Sequence, residues 1–501
     1  MYNRTYPLMI ICTIVAFICC LSFFSFRFGW HFEMFGIWFN LTYAFALMLV
    51  FAIIIAFCTV KRSGKGFRIV CHVLTALMVA ANGVFFYRHG GDLGIHRRMF
   101  MDTLWMLAPV IIVLIAVSLP WHRLIRPMLT KILLVTAVAL ISVGTRYTLR
   151  PLRMSAPPAV FEYGDYYMVV WVTNANGVGW LEVDGEIIYA ALHGKNHANT
   201  RIHQVQVPKE QLTGAVYTAN TRRLLFQSSN KVIFGGTVQS DAITFEGYQG
   251  QDEIRILSLA DYHGMPRAAE RVAAYAGDFD LLVLNGGLLS FIADAREVEL
   301  SIIAPAGRIT GGRVPIIFAR GSHEMMSFGT AYLDKYIPLP QGQYYFTFSF
   351  GPLFGIVLDA GLDKPDDHHI YGGLSASAAY RARQTSWLEN LRDDAPFEGY
   401  EHLVVISHVY LDAGSITYWY TMRDWLHIMQ DMPICVSIHG HTLMHGVRPP
   451  TSTRAFPLIE SGGKTDHIGF RHTGALVTIG ESLQVTFIND RGETVGHEIL
   501  R

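Results

Sequence analysis

Five long apolar runs crowd into the first 150 residues of this 501-residue chain, and they constrain its fold more than any other feature. They are "LMIICTIVAFICCLSFFSF" (8–26), "IWFNLTYAFALMLVFAIIIAFCTV" (37–60), "IVCHVLTALMVAANGVFF" (69–86), "LWMLAPVIIVLIAVSL" (104–119) and "ILLVTAVALISVG" (132–144). A helix needs roughly 20 apolar residues to cross the bilayer core. The first three runs read as spans and the fourth reads as one with its flanks, while the fifth is short enough to tilt in or lie at the interface. The first run has no small-residue cleavage site and further spans follow it, so it reads as retained. The expectation is an N-terminal α-helical transmembrane bundle over 1–148, about five spans, in an integral multi-pass membrane protein. Lys61, Arg62, Lys65 and Arg68 make the second loop the most basic, which places that loop inside and the downstream part outside the cytoplasm. Arg88, Arg97 and Arg98 oppose this bias from the other side.

Composition removes other classes. Lys plus Arg and Asp plus Glu each number 40, so no basic surface for nucleic acid is present. Cys12, Cys19, Cys20, Cys58 and Cys71 all lie in apolar runs and leave Cys435 alone downstream, so there is no disulfide framework.

"LRPLRMSAPPAV" (149–160) breaks the pattern and reads as a linker. The short β-rich runs that follow, among them "YYMVVWVTN", "GWLEVDGEIIYA" and "KVIFGGTV", are separated by turn residues and imply a small β-sandwich over 155–250. Nothing in it carries chemistry, and it reads as a spacer or docking module. From Glu253 the runs "EIRILSLAD", "DLLVLNG", "VPIIFARG", "FGIVLDAG", "HLVVISHV" and "PICVSIHGH" alternate with helical stretches. That alternation implies an α/β layered domain over 251–501, a sheet structure flanked by helices. In such sheets the chemistry gathers just past the strand ends. Asp261, His263, His323, His408, His439 and His441 all fall there. Imidazole and carboxylate at several strand ends suit a borderline divalent metal such as Zn, Mn or Fe. The loop "DKPDDHHI" (363–370) is rich in the same residue types and reads as solvated loop.

Taken in order, "DYH" (261–263), "GG" (286–287), "GSHE" (321–324), His408 and "GHTL" (440–443) resemble the five blocks of the calcineurin-like metallophosphoesterases. "YYFTFSFGPLFGIVLDAG" and "QTSWLENLR" resemble the stretch between that family's third and fourth blocks. The run 155–250 is similar to the fibronectin type III-like domain that precedes the catalytic domain in purple acid phosphatase relatives. The resemblance implies two metals about 3.5–4 Å apart that bind phosphoryl oxygens and activate water. It assigns Asp261 and His263 to the first metal, and Ser322, His408 and His441 to positions of the second. His323 would protonate the leaving oxygen, with Glu324 packed behind it.

Three positions depart from the family. Gly287 stands where a bridging Asp belongs, Ser322 replaces an Asn ligand, and Leu443 replaces the last His. Ser290 also replaces the Tyr of a purple-type iron site. Without the bridging carboxylate two adjacent dications repel uncompensated, so at most one tightly bound ion is expected. A shifted register, with both His439 and His441 as ligands, would repair part of the loss. So would Gly287→Asp, Ser322→Asn and Leu443→His together, expected to restore the second ion. Asn285 and His445 adjoin the altered blocks and are further substitute ligands. Two functions from different classes follow. One is a membrane-anchored phosphoesterase acting on a phosphoester small molecule or a phospholipid. The other is a pseudoenzyme that serves as a binding or scaffold module. A third has the helices act while the rest regulates them.

Overall fold

The computed structural model describes residues 151–500 apart from 191–193, 228–229, 293–294, 328, 363, 412–418 and 466–470. Its strands, in chain order, begin with β1 (Met154–Tyr163), β2 (Tyr166–Thr173), β3 (Gly177–Val183), β4 (Glu186–Tyr189), β5 (Ile202–Pro208), β6 (Val216–Gln227), β7 (Val232–Gln239) and β8 (Ile243–Thr244). Next come β9 (Ile254–Leu259), β10 (Leu281–Asn285), β11 (Ile316–Ala319), β12 (Phe346–Phe350), β13 (Leu353–Leu358), β14 (His402–Ser407) and β15 (Ile434–His439). The last are β16 (His445–Arg448), β17 (Leu458–Ser461), β18 (Lys464–Thr465), β19 (Arg471–Ile479), β20 (Leu483–Asn489) and β21 (Thr494–Leu500). The main helices are α1 (Pro266–Ala276), α2 (Ala304–Thr310), α3 (Ser322–Met326), α4 (Ser377–Asp394) and α5 (Trp419–Met429).

Alternation along the strands decides the layering, because successive side chains point to opposite faces. In β10, Leu281 and Val283 enter a core between two sheets, while Leu282 and Leu284 enter a core under α1 and α2. In β14, Val404 and Ile406 share the inter-sheet core, while Leu403 and Val405 face α4 and α5. Strands buried on both faces must be apolar throughout, which is why "LLVLN" and "HLVVIS" read as unbroken runs. The result is helix, sheet, sheet, helix. Helix α1 starts with Pro266 at its first position, buries Ala268, Ala269, Val272 and Ala273 on one face, and ends at Gly277 with φ 77°.

One sheet has ten strands, in the order β21-β20-β19-β9-β10-β11-β1-β2-β5 with β18 beside β19. The second runs β12-β13-β14-β15-β17-β16, and a third runs β4-β3-β6-β7 with β8 beside β6. The sequence reading treats the small sandwich as a unit of its own. In the structure three of its strands extend the large sheet, since Phe161 of β1 pairs in parallel with Ile316 of β11. Strand β2 is a shared wall: Val170 and Val172 enter the core under α2, and Tyr167, Val169 and Trp171 face β3 and β6.

Among the described residues no helix is long and apolar enough to cross a membrane. This corrects the expected α-helical transmembrane bundle and the expected multi-pass integral membrane localisation. The segments at 1–148 that carried both expectations lie outside the described residues.

A shared wall makes the two regions fail together. Phe161→Ala, a fully enclosed ring in the core under α2, is expected to cost about 3–5 kcal/mol. Hydrogen exchange should show β2 and β10 losing protection in a single step. Loss confined to 154–239 would instead mark an independent sandwich.

Candidate functional site

Five loops converge where β9, β10, β11, β14 and β15 end. They carry Asp261 and His263, Gly286 to Leu289, Gly321 to Glu324, His408, and Gly440 to Leu443. Backbone hydrogen bonds stitch the first two together: the N–H groups of Asp261, His263 and Gly264 donate to Gly286, Gly287 and Leu288 carbonyls at 2.9, 2.9 and 2.8 Å. The Gly440 N–H donates to the His408 carbonyl at 3.0 Å and joins the last two.

The backbone here is strained. Among the described residues seven non-glycines have positive φ, and four of them are Asp261 (51°), His263 (42°), His441 (71°) and Leu443 (62°). Each costs of order 1–3 kcal/mol and persists only where its surroundings over-determine it. Glu324 supplies much of that determination. Its carboxylate, fully buried, accepts from the N–H groups of Gly287 (3.1 Å), Leu288 (2.7 Å), Leu289 (3.2 Å) and Gly321 (3.1 Å). The sequence reading places Glu324 behind His323; nothing in a sequence reveals that four backbone donors meet there.

Asp261 lies at the centre. Its Oδ1 is 3.6 Å from His263 Nε2 and 3.8 Å from His408 Nε2, and its Oδ2 accepts the His441 N–H at 2.6 Å. Burial pushes its carboxyl up to about 8, against the pull of that N–H. His408 is also buried, which lowers its pKa. Its Nδ1 lies 2.7 Å from the Asn285 carbonyl, which can only accept, so Nδ1 carries the proton. Nε2 is then left bare, buried and without a hydrogen-bond partner. His323 has its Nδ1 3.1 Å from the Ser290 carbonyl, and the Ser290 hydroxyl donates to the His263 carbonyl at 3.2 Å. The rings of His263 and His323 meet edge to face at 4.7 Å, those of His408 and His441 at 5.3 Å.

His439 does not join this group. Its neighbour Ile438 enters the inter-sheet core, so alternation turns His439 to the opposite face. There its Nδ1 lies 3.2 Å from the Val409 carbonyl, and burial lowers its pKa to about 3, with Arg454 adding to the effect. Ser322 is buried at the first position of α3. The Asn285 amide donates to the Ile438 carbonyl at 3.2 Å, and its Oδ1 has no hydrogen-bond partner. Sequence reasoning also missed the buried Arg320–Asp359 pair just before "GSHE". It closes at 2.6 Å with Tyr344 3.9 Å from the guanidinium, and the only sequence signal is a charge abutting an apolar strand.

Gly287 has a specific use. A Cβ there would lie 2.2 Å from Asp261 Oδ1, at a φ of 63°. Gly463 also lies against this residue: a Cβ there would lie 2.6 Å from Asp261 Cβ and 3.5 Å from Leu443 Cδ2. The carboxyl of Asp261 thus fills the space a side chain at 287 would need.

This bears on a metal. Two ligands of one tetrahedral ion lie about 3.4 Å apart at ordinary bond lengths. The Asp261–His263 and Asp261–His408 separations are a little wider, and both share one oxygen. Among the described residues no group of three or more His, Cys, Asp or Glu side chains gathers closely enough to hold an ion as they stand. The bare Nε2 of His408 fits one ion beside Asp261.

No family model matches the chain, and no curated protein matches it. Similar solved structures include purple acid phosphatase from yellow lupin (Lupinus luteus) seeds. It has 12% identity over 68% of this chain and 73% of that one, with a TM-score of 0.48. Another is a conserved uncharacterized protein, a predicted phosphoesterase, from Streptococcus pneumoniae, with 12% identity, 50% and 99% coverage and a TM-score of 0.26. A single mutant of Vps29 from Entamoeba histolytica has 10% identity, 49% and 98% coverage and a TM-score of 0.24.

Two expectations follow from Asp261. Gly287→Asp, alone or with Ser322→Asn and Leu443→His, should lower stability and fail to raise metal content by elemental analysis, because its Cβ collides with Oδ1. The second concerns pH. The folded metal-free chain keeps a proton on Asp261 up to about 8, while the unfolded chain releases it near 3.8. This group therefore subtracts stability progressively as pH rises through that window. Asp261→Asn removes the loss, so its urea midpoint should gain on the unsubstituted chain between about pH 5 and pH 8.

Proposed function

We propose that this chain is a phosphoester hydrolase of the calcineurin-like type that works with one divalent transition metal, Zn, Mn or Fe, rather than two. The observation that carries the reading is the buried, bare Nε2 of His408, 3.8 Å from Asp261 Oδ1 with its other nitrogen tied to a backbone carbonyl. A metal-ligating histidine is normally oriented in this way by its second nitrogen. The retained strain at Asp261, His263 and His441 supports the same reading, since strain of this kind clusters at functional sites. The layered sheets, with the five sequence blocks at their strand ends, are consistent with it.

Asp261 and His408 would hold the ion, with His263 at the other flank of the same carboxyl. When bound, the ion supplies Lewis acidity and lowers the pKa of a bound water. The chain's own residues do the rest. His323 donates Nδ1–H to the Ser290 carbonyl, and in its doubly protonated imidazolium form it would pass the Nε2 proton to the leaving oxygen. The substrate is a phosphoester, either a small molecule or a phospholipid headgroup.

A second reading, a binding module without turnover, is favoured by the filled space at Gly287 and the lack of a three-donor group among the described residues. The full chain titrated with Mn²⁺ or Zn²⁺ and given bis(p-nitrophenyl) phosphate separates the two. The hydrolase reading expects one ion per chain, lost in His408→Ala, and a rate that His323→Ala lowers by about 10²–10⁴-fold. One ion with no turnover selects the binding module. Two ions per chain, or hydrolysis indifferent to both substitutions, would end the one-ion reading.

A further inference from the structure

Tyr262, between Asp261 and His263, is almost fully buried in the core under α2. Its hydroxyl donates to the Ser301 carbonyl at 2.8 Å. In an α-helix that carbonyl would take the N–H of residue 305, but residue 305 is proline and has none. The helical run that leads into α2 opens here into a π-helical turn, Glu299–Ile303, with the Ala304 N–H reaching back to the Glu299 carbonyl. Such turns often sit at functional sites. A phenol from another loop therefore serves a carbonyl that Pro305 cannot.

We propose that Tyr262 is a positioning residue. Its phenol, tied to the Ser301 carbonyl that Pro305 leaves without an α-helical donor, fixes the left-handed backbones of Asp261 and His263 so that their side chains meet His408 and His323. The geometry lets one anchor act on two residues. Asp261 and His263, at φ 51° and 42°, flank Tyr262 on both sides. Relaxing either toward ordinary φ swings the chain about Tyr262, and a side chain tied 2.8 Å from a rigid helix resists that swing. The backbone bonds to Gly286, Gly287 and Leu288 hold the edge of the loop that faces that segment.

The test uses the full chain with isotope-labelled histidine, read by ring resonances without metal, and a Co²⁺ titration. The metal arm alone rests on the one-ion reading above. Tyr262→Phe is expected to move the His263 and His323 ring signals and to weaken Co²⁺ binding by about 10–100-fold, the range for an orienting partner behind a ligand. Pro305→Ala gives Ser301 a helical N–H, releases the phenol and should move the same signals without loss of thermal stability. This second variant decides the matter if Tyr262→Phe fails to fold. A Tyr262→Phe chain that melts earlier with its His263 signals unmoved would overturn the proposal, as would a Pro305→Ala chain whose ring signals stay in place. Absence of Co²⁺ binding in the unsubstituted chain would defeat the one-ion reading, while the ring signals would still decide Tyr262.

Discussion

The carboxylate of Glu324 is the contact on which the site hangs. A buried carboxylate is costly unless its lone pairs are filled, and here four backbone N–H groups from two loops fill them. In doing so it sets the path of Gly286 to Leu289. The carbonyls of that same segment then receive the N–H groups of Asp261, His263 and Gly264. One residue earlier, the Asn285 carbonyl fixes the proton on His408. A single anion in the "GSHE" block thus organises the loop before it, and that loop organises the histidine and aspartate loops around it.

That arrangement explains how the site can differ from its resemblance without losing shape. The scaffold contacts run through backbone groups, those of Gly287 included, and through the Glu324 carboxylate, rather than through side chains at 287, 322 and 443. Those positions can change chemistry while the frame stands. Gly287 leaves room for the Asp261 carboxyl, whose Oδ1 lies where a Cβ at 287 would collide with it. The consequence is a buried carboxyl whose Oδ1 lies 3.6 Å from His263 Nε2 and 3.8 Å from His408 Nε2.

Much of this was legible in the sequence, for physical reasons that also mark where legibility ended. Strands buried on both faces must be apolar throughout, so "LLVLN" and "HLVVIS" announced themselves, and polar residues just past them announced the site. The partner of β1 and β2 did not. Both faces of "YYMVVWVT" are apolar, and an apolar face reads the same whether a sheet or a helix covers it. The side on which His439 falls depends on register, which a single strand does not state. The Glu324 donors are main-chain groups with no letter in the sequence. Nor does the sequence show that the Asp261 carboxyl fills the space a side chain at Gly287 would need.

The ten-stranded sheet also governs the order in which the molecule can be made. Ile254 of β9, just before the Asp261 loop, pairs with Ile479 of β19, and β9 has β10 on its other side. On its far flank the sheet waits for nothing, because β1 and β2 have already left the ribosome when β11 emerges. The nascent chain therefore carries β9 with one open edge through the synthesis of both α4 and α5. Closing contacts so distant in sequence are slow, and an exposed strand edge during that interval invites pairing with other chains. The aspartate at the heart of the site is among the first of its ligand-type residues to be made, and its strand is among the last to be enclosed.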